Sequence, residues 1–350
     1  MTMKTIISKF LLVFAVIIIA NQVNAQTEES KHRPFHMSFL YPLSTDGVNS
    51  KDYSYNFSLN ILGGVTGGLN GAEFGGLFNI NLNQTNGAQF AGIFNKANKL
   101  TGAQFAGIGN ISNYNNSATQ FGGIFNFSPK GTSLAQFAGI ANVADSSIFQ
   151  FGGIANVSDD VTCQVGGIVN LARKSKVQIG LINVSDSANI MIGLVNIAKN
   201  GFMEVEVAGG EFIHTAVSFR SGTKKFYGIA SLGYNFSDNF WAYGAGFGTT
   251  VELSNKLGFN FEAVHYMLVK KFFEGDRKYN GLAQLRPLLY YKVSKKFKVF
   301  AGPVANLYMG SNSEENNLKI SAPYTFWDDT DGKTKLEAWV GFTAGIRVCF

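Results

Sequence analysis

The feature that most constrains this chain is a repeat. Between Glu73 and Asn196, asparagines recur at Asn79, Asn95, Asn110, Asn126, Asn142, Asn156, Asn170, Asn183 and Asn196, spaced 13 to 16 residues apart. Three places before each stands a glycine: Gly76, Gly92, Gly107, Gly123, Gly139, Gly153, Gly167, Gly180 and Gly193. Six places before, six copies carry Gln89, Gln104, Gln120, Gln136, Gln150 and Gln164, and the last two carry Val177 and Ile190 instead. A fixed period means one small structural unit used many times, so it is read before any motif. With period two, one copy sets Phe149, Phe151, Gly153, Ala155 and Val157 on an apolar face, and Gln150, Gly152, Ile154 and Asn156 on a mixed one. The polar clusters 113–117, 129–131 and 158–160 are expected to be turns joining strands of about nine residues.

On these glycine, glutamine and asparagine positions, the region resembles the bacterial surface-repeat proteins built from tandem Gly-x-Gln-x-Gly-x-x-Asn units. The resemblance covers a little over a third of the chain. It implies a cell-surface or outer-membrane setting and brings no catalytic residues.

Two all-β architectures can use such a unit. In a parallel β-solenoid each copy is one coil, and like residues stack into glutamine and asparagine ladders. In an up-and-down barrel each copy is one spanning strand, for which about 9–11 residues suffice. A coil of 13 residues is tight for two arms and two corners, which favours the barrel. The alternative is a solenoid of the repeats followed by a smaller C-terminal barrel.

The C-terminus strengthens the barrel reading. Leu336, Ala338, Val340, Phe342, Ala344, Ile346, Val348 and Phe350 alternate with Lys335, Glu337, Trp339, Gly341, Thr343, Gly345, Arg347 and Cys349. An amphipathic last strand ending in Phe350 resembles the signal read by the barrel-insertion machinery. Arg or Lys on a lipid face at mid-bilayer costs about 2–4 kcal/mol, and the apolar faces lack them. Tyr53, Trp241, Tyr290 and Trp339 fall near strand ends, where aromatic girdles are expected. Two strands before the repeats (about 35–41 and 53–62), nine within them and seven beginning near Met203, Phe226, Phe240, Leu257, Gly281, Phe297 and Leu336 predict a membrane-spanning antiparallel barrel of about 18 strands, possibly 16. Segment 310–334 is expected to be an outer loop and 294–296 an inner turn. Pro287 and Pro303 resist, because each removes a ladder donor.

Residues 1–25 read as an export signal: Lys4 and Lys9, the apolar run Phe10 to Ala20, then Val23-Asn24-Ala25. Losing two lysines lowers the formal net charge from +6 to about +4. The cations lie mostly in turn-like stretches such as 173–176 and 294–296, not on one face, so nucleic acid is not an expected partner. Outer-membrane lipid is. Cys163 and Cys349 fall on opposite faces, and a bridge between them is not expected.

Chemistry is sparse. His265 meeting a serine across strands would be needed for lipid hydrolysis, and no local signature supports it. His32 and His36 make a poor metal site, and Gly244-x-Gly246-x-Gly248 opens no helix. The expectation is a protein without catalysis or cofactor, acting as a passive pore or a structural surface protein, with adhesion or partner binding by the repeats as the alternative. Glu204, Glu206, His214, Glu262, Arg286, Glu337 and Arg347 are the candidate lumen-lining residues, either setting ion preference or pairing with one another.

Overall fold

The computed structural model describes residues 31–270, 279–311, 318, 322, 324–331 and 334–350. The predicted leader, residues 1–25, lies outside them, as does most of the segment predicted to be an outer loop. The chain divides into two compact units, Met1–Ser187 and Ala188–Phe350.

The first unit is a parallel β-solenoid, so a single barrel of about 18 strands is not formed; the repeats are coils. It is built from β1 (Lys31–Leu40), β2 (Leu43–Ser44), β3 (Tyr53–Thr66), β4 (Gly68–Gly75), β5 (Phe78–Ala91), β6 (Phe94–Ala106), β7 (Gly109–Gly122), β8 (Phe125–Ala138), β9 (Ala141–Gly152), β10 (Ala155–Gly166), β11 (Val169–Ile179) and β12 (Ile182–Ile192), the last crossing into the second unit. From β3 to β11 neighbours are parallel, and like residues pair: Asn79 with Asn95, Gln89 with Gln104, Asn156 with Asn170. The two strands expected before the repeats are β1 and β3, which start this stack.

The coil is phased half a period away from expectation. The polar clusters are not turns between strands; they lie inside β7, β8 and β10 and stay paired, as Asn115 with Gly131 and Asp160 with Lys174. The break falls at the Gly–Ile pairs 107–108, 123–124, 139–140, 153–154 and 167–168. Each corner glycine is required by close approach. A Cβ on Gly123 would sit 2.0 Å from the Gly107 carbonyl oxygen, and one on Gly139 would sit 2.3 Å from that of Gly123. Tight coils close because their inward positions hold mostly Asn, Gln, Ser and Ala, with Leu69 and Leu100 among the few larger side chains inside.

In the second unit, β13 (Val195–Ala198) precedes a closed antiparallel barrel of eight strands: β14 (Phe202–Gly210), β15 (Thr215–Gly222), β16 (Tyr227–Asn235), β17 (Phe240–Glu252), β18 (Leu257–Val269), β19 (Asn280–Lys292), β20 (Phe297–Ser311) and β22 (Thr334–Cys349), with β21 (Trp327–Thr330) extending β22 at one rim. Closure is by β14 on β22, Glu204 opposite Cys349 and Gly210 opposite Thr343. The seven expected strands are present, and β15 is the addition. Pro287 and Pro303 stand where the β19–β20 pairing lapses between Leu285–Ala305 and Leu289–Ala301. Facing each other, they confine two missing donors to one place. Tyr290 and Trp339 are buried inside the barrel and are no part of a girdle.

The Gly123→Ala variant should lose about 1–3 kcal/mol of solenoid stability, the usual cost of forcing extra atoms into packed space. Ile108→Val, at an exposed corner, should stay within about 0.5 kcal/mol of the parent. Denaturant unfolding of the full chain followed by circular dichroism checks both.

Candidate functional site

Two polar networks hold the residues with chemical potential. The first is the solenoid interior. Asparagine amides donate forward along the chain: Asn60 to Asn79 (2.8 Å), Asn79 to Asn95 (3.0 Å), and onward through Asn110, Asn126, Asn142, Asn156 and Asn170 to Asn183 (2.9 Å). From Asn79 to Asn170 the second N–H reaches a backbone carbonyl, as Asn126 to Phe137 (2.7 Å). Glutamine amides donate in the opposite direction: Gln178 to Gln164, Gln150, Gln136, Gln120, Gln104 and Gln89, each link 2.8–2.9 Å. The eighth copy therefore keeps its glutamine, at Gln178 and not at the expected 177, because its corner has the single Gly180 where the copy before has Gly166 and Gly167; Gln178 pairs with Gln164.

The glutamine series ends on Glu73. Gln89 Nε2 donates to Glu73 Oε2 (2.8 Å), and Asn60 Nδ2 donates to Oε1 (3.0 Å). Glu73 is fully buried, and burial raises its pKa above the ordinary carboxylate value. Beyond it in the same column come Ser58 and His36. His36 Nδ1 lies 3.0 Å from Ser58 Oγ, and burial lowers the imidazole pKa. His36 serves the end of the stack, not a metal; His32 sits elsewhere, beside Ser54.

The second network fills the barrel. Arg220 Nη1 donates to Glu204 (2.5 Å), and Arg220 Nη2 pairs with Glu262 and meets Tyr227 Oη (2.8 Å). Arg286 pairs with Glu262 and approaches Glu206 at 3.4 Å. Arg347 donates to Glu206 (2.7 Å) and Asn260 (2.6 Å). Lys298 pairs with Glu204. Alternation places these side chains inward on strands whose outward neighbours are apolar. Buried apolar residues including Tyr266, Leu282, Tyr308 and Trp339 form one cluster, and Leu288, Tyr290 and Phe300 with Ala208 form another. Eight strands enclose a lumen just wide enough for side chains. The enclosed void bounded by Ala208, Ile213, Tyr266 and Arg286 is about 20 Å³, room for about one water molecule.

Of the predicted lumen residues, Glu204, Glu206, Glu262, Arg286 and Arg347 converge. Two do not. His214 is in the turn after β14, where it accepts the Phe236 N–H at 3.0 Å and stacks on that ring. Glu337 is buried near the other end of β22 from Arg347 and pairs with Lys335 at 2.9 Å. Sequence reasoning left Tyr227 and Lys298 out; Arg220 was legible by strand parity with Glu204 and Glu206. His265 points out of the barrel wall, beside Tyr279 at 3.1 Å. Both cysteines are free. The chain matches no described protein family, no curated protein and no solved structure.

Two expectations follow. Because Glu73 binds its proton more tightly when folded, its contribution to stability is complete below the ordinary carboxylate pKa and is lost as pH rises through the raised value. Glu73→Gln should therefore gain on the parent in neutral and mildly alkaline buffer and match it in acid. His36, with its lowered pKa, acts in the opposite sense in both proteins, so the difference between their pH–stability curves isolates Glu73. In the barrel, Arg347→Met leaves Glu206 without its closest partner and should cost about 3–5 kcal/mol, as removing one member of a buried ion pair does; the temperature at which the folded band converts on unheated gels reads the loss.

Proposed function

We propose that the chain is an integral protein of the bacterial outer membrane, exported by residues 1–25 and related to the surface-repeat proteins, in which the barrel is a sealed anchor and the solenoid is a non-catalytic module for partner binding. The observation that carries this is the inverted polarity of the barrel. Six charged side chains from Glu204, Glu206, Arg220, Glu262, Arg286 and Arg347 are buried inside it, while Val217, Phe247, Phe261, Leu285, Phe342 and Ile346 are 50–60% exposed on its wall. A water-soluble barrel would hold the reverse. In lipid every backbone group must be bonded internally, and a ring without edges achieves that. The turns are also asymmetric. At one rim the joins 223–226, 253–256 and 293–296 are all four residues long; at the other, 211–214 and 236–239 are also four residues long but 270–279 and 312–333 are longer, an asymmetry in the sense expected of short periplasmic turns and longer outer loops. Phe350 directly follows the closing strand, and its resemblance to the signal read by the insertion machinery supports the same reading.

The second reading is a passive pore. The packed, ion-paired lumen favours an anchor over a pore. Purified full-length protein should remain with membranes after carbonate extraction, show heat-modifiable mobility, and give no steady conductance in planar bilayers. Stepwise conductance would restore the pore, and release by carbonate would remove the membrane reading altogether.

A further inference from the structure

The solenoid carries its own inversion of polarity. Ile93, Ile108, Ile124, Ile140, Ile154 and Ile168 form a corner row, each 38–46% exposed. Beside them runs a trough of about 1020 Å³ floored by the glycines and alanines next to the corner and walled by Phe74, Phe90, Phe105, Phe121, Phe137 and Phe151. On the other flank the residue after each ladder asparagine continues the apolar surface as the half-buried Ile80, Ile111, Phe127, Val143 and Val157. Lys96 interrupts that row, and its long stem lets the amine reach water from an apolar surface. Other charges gather at the opposite bend, among them Lys99, Lys130, Asp145, Asp160, Arg173 and Lys174. At about 4.8 Å per coil, the six isoleucines alone span about 24 Å.

The chemistry of this edge selects its occupant. The phenylalanine rings stack on one another at 4.9 Å with interplanar angles of 2–5° from Phe90 to Phe137, so their faces are not offered to a sugar ring. The flank backbone is bonded coil to coil, leaving an added peptide strand nothing to pair with along the trough. Polar peptide groups brought there would lose their hydrogen bonds. Hydrocarbon loses nothing. The surface is also a whole edge, not a closed slot, which suits a layer of acyl chains.

We propose that the Gly–Ile edge of the solenoid lies in the acyl layer of a phospholipid leaflet, with the polar bend in water. This rests on the barrel being a membrane anchor.

Spin labels placed singly at Ile124→Cys, Lys130→Cys and Leu285→Cys, in full-length protein carrying Cys163→Ser and Cys349→Ser and reconstituted in phosphatidylcholine–phosphatidylglycerol vesicles, test it. The corner and barrel-wall labels should collide with oxygen and be shielded from a water-soluble nickel complex, and the bend label should show the reverse. A corner label open to nickel while Leu285 stays in lipid overturns this inference and leaves the anchor standing. All three open to nickel overturns both. A corner label shielded from both reagents overturns it in favour of a second copy covering the edge.

Discussion

The repeat region depends on one interaction, the hydrogen bond from a side-chain amide to its counterpart in the next coil. Burying a row of Asn and Gln side chains is costly unless their donors and acceptors are matched, and here stacking in register matches most of them. Identical residues at identical places are what make the match repeatable. Once the interior is polar and satisfied, the outward positions carry the apolar residues. The barrel reaches the same arrangement by different means, with arginine–glutamate pairs in place of amides. Such networks hold while every member is present and fail steeply when one is removed.

Much of this was legible in the sequence. The nine asparagines marked nine coils, to which Asn60 adds one more at the start of the ladder; period two set Phe149 and Phe151 apart from the buried Gln150, but grouped Ile154 with Gln150 and Asn156, whereas the glycine corner turns Ile154 outward. The choice between coils and spanning strands was not legible, since each requires period two with apolar residues outside. What separates them is whether Asn79 faces Asn95 in a parallel neighbour, a long-range fact. The argument from tightness failed because it allowed for two arms and two corners, whereas each coil from β5 to β12 is one paired strand of 11–14 residues broken only at the glycine corner. The phase of the coil was misplaced for a related reason: clusters such as 113–117 look like turns by composition, whereas the actual corner is set by backbone crowding at glycine.

In the barrel, strand β15 was hidden because the alternation from Met203 seems to continue to Arg220 across Gly209 and Gly210. Parity groups Glu204, Glu206, Glu262, Arg286 and Arg347 on inward faces, and all five side chains are buried. Height within the barrel was beyond it, and that separates Glu337 and the rim residue His214 from the rest. The same lack of height placed Tyr290 and Trp339 in a girdle when they pack the interior.

The two amide series point in opposite directions, asparagine toward the C-terminus and glutamine toward the N-terminus. Their dipoles therefore oppose, and the electrostatic strain of the stack does not accumulate as it grows. Duplicating or deleting a segment the length of one coil would leave every remaining partner in place. Genetic variation in copy number is accordingly cheap for such a molecule, and its length becomes a property that selection can adjust in whole steps.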